Sequence, residues 1–282
     1  MKIKLLVDST FKLSKDYIEE NNIEVIPLNV IIDGEAFLDG VNITISEVME
    51  ALDQGKKITT SQPSPHLFAE YFTKMRDEGV TDIICMTLSS TLSGTFQAAN
   101  IASSNMTGVN IHLIDTLSGS VGSERLARIV IDDLHNNVAI EDILIKINKI
   151  KQNAVILFTM ENLTALKKSG RISRIKATIG NLLRVKPMIE YINGEVSINS
   201  KLRTETQVME WIVNKMKVAL SGITSKIHIL LAHIRADEKV LRLKEYVSSA
   251  FPNINVRITD GITPVIAVNV GYGGIGVSWC YE

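Results

Sequence analysis

Apolar and polar positions along this chain switch repeatedly between a two-residue and a helical period. Ile3-Lys4-Leu5-Leu6-Val7 reads as a strand, and Asp8-Ser9-Thr10 after it reads as a turn or helix cap. A short polar helix is predicted from Ser14 to Asn21, then a β-branched apolar run from Ile23 to Ile32. Asp33-Gly34 turns that run back into Glu35-Ala36-Phe37-Leu38. Thr44 with Glu47 forms a capping-box pattern ahead of a helix ending near Gly55. Helix 65–78, strand 80–88, helix 95–104 and strand 109–114 follow, and helical periodicity covers 119–135 and 140–152.

The pattern changes character after that. Val155 to Met160 is a strand, and Leu163 to Lys168 a helical turn ending at Gly170-Arg171. Pro187 to Ile192 and Glu195 to Ser200 flank Asn193-Gly194, the signature of a hairpin with a type I′ turn. A helix from Thr204 to about Leu220, strand Ile227 to Ala232 and helix 236–249 come next. Pro264 to Val270, a glycine-rich loop and a short strand close the chain.

Strands alternating with helices make the fold class α/β. Two domains are expected: residues 1–155 as a three-layer α/β domain with a mostly parallel sheet, and 156–282 as an α/β domain with a mixed or antiparallel sheet. In a parallel sheet the ligand end lies where strands run into helices, which puts Asp8, Ser89 to Ser93 and Asp115 at one edge.

Composition narrows the chemistry. Of 282 residues, 45% are hydrophobic, and a mean hydropathy of +0.16 supports a sizeable interior. With a net charge of −1, nothing suggests a surface for nucleic acid or anionic membrane. No apolar run reaches membrane-spanning length, so stable membrane insertion is not expected. Met1 to Leu5 lacks a signal-peptide pattern, and Cys85 and Cys280 fit a reduced pair, so the expected compartment is cytoplasmic.

Several site classes fall away. Gly271 to Gly276 matches G-x-G-x-x-G, but too few residues follow for the helix and second strand of a dinucleotide site, so it reads as a close-approach loop or tight turn. There is neither a P-loop nor a G-x-S-x-G elbow. His66, His112, His135, His228 and His233 show no metal-ligand spacing.

Two hydroxyl-rich segments remain: Thr59-Thr60-Ser61-Gln62-Pro63-Ser64 and Ser89-Ser90-Thr91-Leu92-Ser93-Gly94-Thr95. Each runs into a predicted helix start, where unpaired backbone N–H groups favour an anion. Hydroxyl donors with almost no cations suit one small anionic group such as a carboxylate. Such segments more commonly serve as caps and ST-turns, but their projection onto the ligand end of one sheet favours a binding role. Lys167, Lys168 and Gly170 are explained as a helix C-terminus, which leaves Arg171 unexplained. Arg203 stands just before a helix start, an electrostatically poor place for a cation, where it is either solvated or kept for a partner's anion.

These segments, with Val7-Asp8-Ser9-Thr10, Ile114-Asp115-Thr116, Leu166 to Ile172, Lys186-Pro187, Lys201-Leu202-Arg203-Thr204 and Pro264 to Gly276, make a chain that resembles the DegV family over nearly its whole length. The resemblance implies a bacterial protein that binds one long-chain fatty acid between two α/β domains and has no cofactor or metal. It implies a non-catalytic carrier, the acyl-carrying subunit of a fatty-acid kinase, presenting the carboxylate to an ATP-binding subunit so that acyl-phosphate feeds phospholipid synthesis. By the same resemblance the ligand-binding positions are Thr60, Ser61, Ser93, Gly94 and Asn269, and the partner-docking positions are Arg203 and Arg171. Asn269 stands where the family carries a histidine, and Tyr272 where it carries proline. Asn269 still donates through its amide but carries no titrating proton, which bears on competence in phosphotransfer. The tunnel for the acyl chain is expected among the apolar positions of 119–135, Ile175 to Leu183 and Pro264 to Val268. Read from the residues alone, two other functions compete: a hydrolase or transferase with Ser93 as nucleophile, and a binder of small phosphorylated metabolites.

Overall fold

A computed structural model describes residues 2–161, 163–171, 175–176, 185–259 and 261–282. The first half runs β1 (Ile3–Asp8), α1 (Lys15–Glu20), β2 (Glu24–Ile26), β3 (Asn29–Ile32), β4 (Glu35–Leu38), α2 (Ile45–Asp53) and β5 (Ile58–Ser61). It continues through α3 (Pro65–Asp77), β6 (Asp82–Thr87), α4 (Thr95–Ser103), β7 (Asn110–Asp115), α5 (Val121–His135) and α6 (Ile140–Ile150). β8 (Val155–Thr159), α7 (Thr164–Lys168), β9 (Ile175–Lys176), β10 (Lys186–Ile192), β11 (Glu195–Leu202) and α8 (Glu205–Ala219) follow. The chain closes with β12 (Ile227–His233), α9 (Asp237–Ala250), β13 (Val256–Ile258), α10 (Pro264–Val270) and β14 (Ile275–Tyr281).

The protein is α/β, built on a parallel sheet and a mixed one. The four-stranded sheet has the order β2-β1-β6-β7, all parallel. Successive side chains of a strand face opposite ways. Leu5 and Val7 therefore pack with α5 and α6, while Leu6 packs with Phe68 and Phe72 of α3 and Ala98 and Ala99 of α4. Those two clusters make three layers. The seven-stranded sheet has the order β13-β12-β14-β8-β10-β11-β9 and mixes both directions. Leu157, Leu231 and Val277 turn to α8 and α9 on one face. Leu230, Ala232 and Ile156 turn the other way, toward Val121 of α5 and Ala267 of α10.

Two local readings need correction, and a third segment gains an element. The apolar run from Ile23 to Ile32 is two strands in different sheets, parted at Pro27-Leu28: β2 joins the parallel sheet and β3 pairs with β4 and β5. Thr59 to Ser61 is not a loop at the corner of the parallel sheet. It belongs to strand β5 of a three-stranded antiparallel sheet, with Thr60 opposite Val30 and Ser61 opposite Asn29. Threonine is at home in a strand, and pairing with β3 decides the matter. Pro264 to Val270 is a helix, α10, capped by Thr263 with proline in its first turn. Of the expected tunnel positions, 177–183 lie outside the described residues.

Candidate functional site

Two buried carboxylates set the geometry of the site. Asp8, at the end of β1, accepts from the Leu88 N–H at 2.6 Å and from the N–H and hydroxyl of Thr10. That bond fixes the start of the second hydroxyl segment, where Ser89 N–H reaches the Ser118 carbonyl and Ser93 N–H the Ser89 carbonyl. Asp39 accepts from the Ser9 hydroxyl at 2.6 Å and from the Val265 N–H at 3.0 Å, which ties down the first turn of α10. Leu88, Leu92, Val30, Val265 and Val268 then pack in one cluster. The hydroxyl loop, the small sheet carrying β5, and α10 are thereby drawn together.

Burial pushes the Asp8 carboxyl up from 3.8 to about 6, against the opposing effect of its three hydrogen bonds. From about pH 4 to 6 the folded chain keeps this proton and the unfolded chain loses it. Stability from Asp8 therefore falls as pH rises across that window, by on the order of 3 kcal/mol in all. A carboxyl-carbon NMR titration should place the Asp8 midpoint near 6; a midpoint near 4 would contradict this.

Next to these carboxylates is a cavity that opens to solvent, with about 1190 Å³ of space between protein atoms when the solvent-open part is included. The mixed sheet forms one wall with Ile156, Phe158, Ala232 and Gly276, and Val121, Leu92, Val265 and Ile266 close other sides. Thr60, Ser61, Ser93 and Asn269 all line this space. The Ser61 hydroxyl accepts from Asn29 Nδ2 at 3.2 Å. Ser93 Oγ accepts from the Thr95 N–H at 3.3 Å and shares a 2.9 Å bond with the Thr95 hydroxyl. Asn269 Nδ2 donates to the Val265 carbonyl at 2.7 Å, one turn back along α10.

The other expected positions lie differently. Gly94 does not line the cavity. A side chain there would come within 3.1 Å of Gln62 Nε2, so Gly94 lets the two hydroxyl segments touch. Arg171 is part of the cavity lining, with Nη1 donated to the Ser169 carbonyl at 2.8 Å. Arg203 is exposed, outside the lining, with its backbone N–H on Gln207 Oε1. Ser64 caps α3, and Thr91 is a clamp: its hydroxyl donates to the Gly194 carbonyl at 2.7 Å and sits 3.1 Å from the Tyr191 hydroxyl. The hydroxyls of the two segments thus divide between structure and cavity.

Sequence reasoning missed the strand wall and the turn before α5. Ala232 and Gly276 are small residues facing each other on β12 and β14, and their size was the available signal. Ser120 lines the cavity at φ 50°, ψ −124°, a backbone that nothing in its residue type announces. His233 also lines the cavity, with Nδ1 accepting from the Ala236 N–H, so its lone pair is occupied. Among the described residues, no titratable side chain hydrogen-bonds Ser93, whose hydroxyl meets only Thr95. Gly271 and Gly273, at φ 75° and 68°, make the tight turn expected of the glycine run. Across the last turn of α10, sharing Val270 with the cavity, lies a second cleft lined in part by Lys56, Lys57 and Lys168.

Among the described residues, no group of three or more His, Cys, Asp and Glu side chains is arranged to hold a metal ion. No helix among them is long and apolar enough to cross a membrane.

Residues 2–282 match the model of a family described as uncharacterised proteins, the DegV family. A DegV domain-containing protein of Staphylococcus aureus (strain MRSA252) is 32% identical over 275 residues, covering 97% of this chain and 96% of its own. Two solved structures are also similar. One, described as fatty acid binding of a DegV family protein from Thermus thermophilus, superposes with a TM-score of 0.93 at 26% identity, over 100% of both chains. The other, a stearic acid-binding protein from Eubacterium ventriosum, gives 0.88 at 25% identity, over 100% of this chain and 98% of its own.

Proposed function

Because the chain belongs to the DegV family, we propose that it holds one long-chain fatty acid in this cavity and presents the head group to a separate ATP-dependent kinase subunit. The observation that carries the reading is an apolar cavity whose few polar lining groups include Thr60, Ser61, Ser93 and Asn269. The acyl chain supplies the affinity. At about 0.8 kcal/mol per methylene, a tail of about fourteen gives on the order of 11 kcal/mol gross. Hydrogen bonds to a charged head give about 1.5–3 kcal/mol each and do little more than offset its desolvation. Orientation is therefore the work of the hydroxyls.

The carrier is cytoplasmic and bacterial, and its acyl-phosphate product feeds phospholipid synthesis. Arg203, exposed at the start of α8, is a docking position for the kinase. Arg171 belongs to the head-group wall as much as to the docking face. Two domains meeting near residue 155 fit the sheets, since each draws all its strands from one side of that point.

Ser93→Ala tests the division of labour. Binding of hexadecanoate should weaken by about tenfold, in line with one hydrogen bond to a charged group. Acyl-phosphate formation with a kinase subunit and ATP should fall much further. Unchanged kinase-coupled turnover would refute the orienting role.

A further inference from the structure

The hydroxyl of Thr91 has one proton and two lone pairs, and all three are used. The proton goes to the Gly194 carbonyl at 2.7 Å. The oxygen is therefore the acceptor toward the Tyr191 hydroxyl at 3.1 Å and the Ser89 hydroxyl at 3.0 Å. Ser89 Oγ in turn accepts from the Thr91 N–H. Tyr191 belongs to β10, in register with Ile156 of β8 and Val196 of β11, and all three line the cavity. Gly194 is in the turn that joins β10 to β11. One side chain thus fastens the hydroxyl loop to the strand wall of the mixed sheet. On its other side the loop is held by the Leu88 N–H on Asp8, the Ser89 N–H on the Ser118 carbonyl and the Ser90 N–H on Asp115. Ser93 comes two residues after Thr91, with its N–H on the Ser89 carbonyl. Ser93 lines the cavity and Thr91 does not.

We propose that Thr91 is a positioning residue for the bound head group: it ties the hydroxyl loop to the wall beside the acyl chain and so sets where Ser93 meets the carboxylate. This rests on the lipid-binding reading above. The wall is the firm side of the link, because β10 is paired on both edges, with β8 and with β11. The loop is the side that yields, since it is a short connection running from β6 into α4. Hydrogen bonds weaken steeply when donor and acceptor lose alignment, so a small shift of the loop is felt at the Ser93 hydroxyl. Thr91→Val keeps the shape of the side chain and removes its three hydroxyl bonds. Thr91→Ser keeps all three.

The test is a double-mutant cycle read by titration with hexadecanoate labelled with carbon-13 at its carboxyl. Ser93→Ala should weaken binding by about tenfold, the worth of one hydrogen bond to a charged group. Thr91→Val should weaken it by about threefold to tenfold, because it spoils that same bond rather than another. With both substitutions together the loss should stay at about tenfold, since Thr91 acts through Ser93. The carboxyl resonance of the bound lipid should move in Thr91→Val and return to its native position in Thr91→Ser, a signature that lost stability alone does not give. Losses that multiply to about a hundredfold in the doubly substituted chain would overturn the proposal, because Thr91 would then act independently of Ser93. A carboxyl resonance unmoved in Thr91→Val would overturn it as well. If that variant does not fold, Tyr191→Phe, which keeps the ring and removes one of the three bonds, takes its place under the same criteria. A native chain that binds no hexadecanoate defeats the fatty-acid reading itself, an outcome distinct from losing the link between Thr91 and Ser93.

Discussion

Ala232→Phe should abolish lipid binding while the protein stays folded. Ala232 is on β12 facing the cavity, opposite Gly276 of β14, and the two leave the strand wall without bulk. A phenyl ring at that position would occupy the space of roughly five methylenes of the ligand. At about 0.8 kcal/mol each, the loss is on the order of 4 kcal/mol, or about a thousandfold in affinity. Overpacking a filled core costs about 1–3 kcal/mol, but here the ring enters space that is already empty, so the lower end is expected. Titration with a fluorescent fatty acid, beside a thermal melt, separates the two effects. Affinity within threefold of the native chain would mean that the acyl chain lies elsewhere.

The largest effect on stability is expected from Glu124. This carboxylate is 1% exposed on α5 and accepts from Arg128 Nε at 2.9 Å, from Arg257 on β13 and from the Thr259 hydroxyl. It pins α5, whose first residue lines the cavity, to the edge of the mixed sheet. Removing one member of a buried ion pair strands its partner and typically costs about 3–5 kcal/mol. Arg257 is partly exposed and relaxes into solvent, but Arg128 does not. Glu124→Ala should therefore lose about 3 kcal/mol in urea denaturation, and Glu124→Gln, which keeps an acceptor, less than that. A loss under about 1 kcal/mol for the alanine variant would show that the pair contributes little net stability.

Local chemistry was legible where a residue type forces a conformation. Asn193-Gly194 has φ 50° and 80°, the type I′ turn read from the dipeptide alone. Thr44 with Glu47 forms the capping box that its spacing announces. The helix at Pro264 to Val270 escaped notice because valine, isoleucine and asparagine are poor helix formers. Burial of Val265, Ala267 and Val268 overrides that preference. The split at Pro27 depends on which strand each half meets, a long-range fact outside any sequence window.

The site was legible to the same degree. Hydroxyls on separate segments were expected to converge, and Thr60, Ser61 and Ser93 do line one cavity. Their route was misjudged, because β5 belongs to its own small sheet. The locked amide of Asn269 was not readable: whether it gives or accepts depends on the Val265 carbonyl one turn away. Nor was the strand wall of Ile156, Phe158 and Ala232, since a strand with two apolar faces does not say which one borders empty space.

Native mass spectrometry of the freshly purified chain tests the central claim most directly. One equivalent of a long-chain fatty acid, retained by the native protein and absent from Ala232→Phe, is the expected result. A chain that carries no lipid and takes up none when long-chain acids are supplied would contradict it.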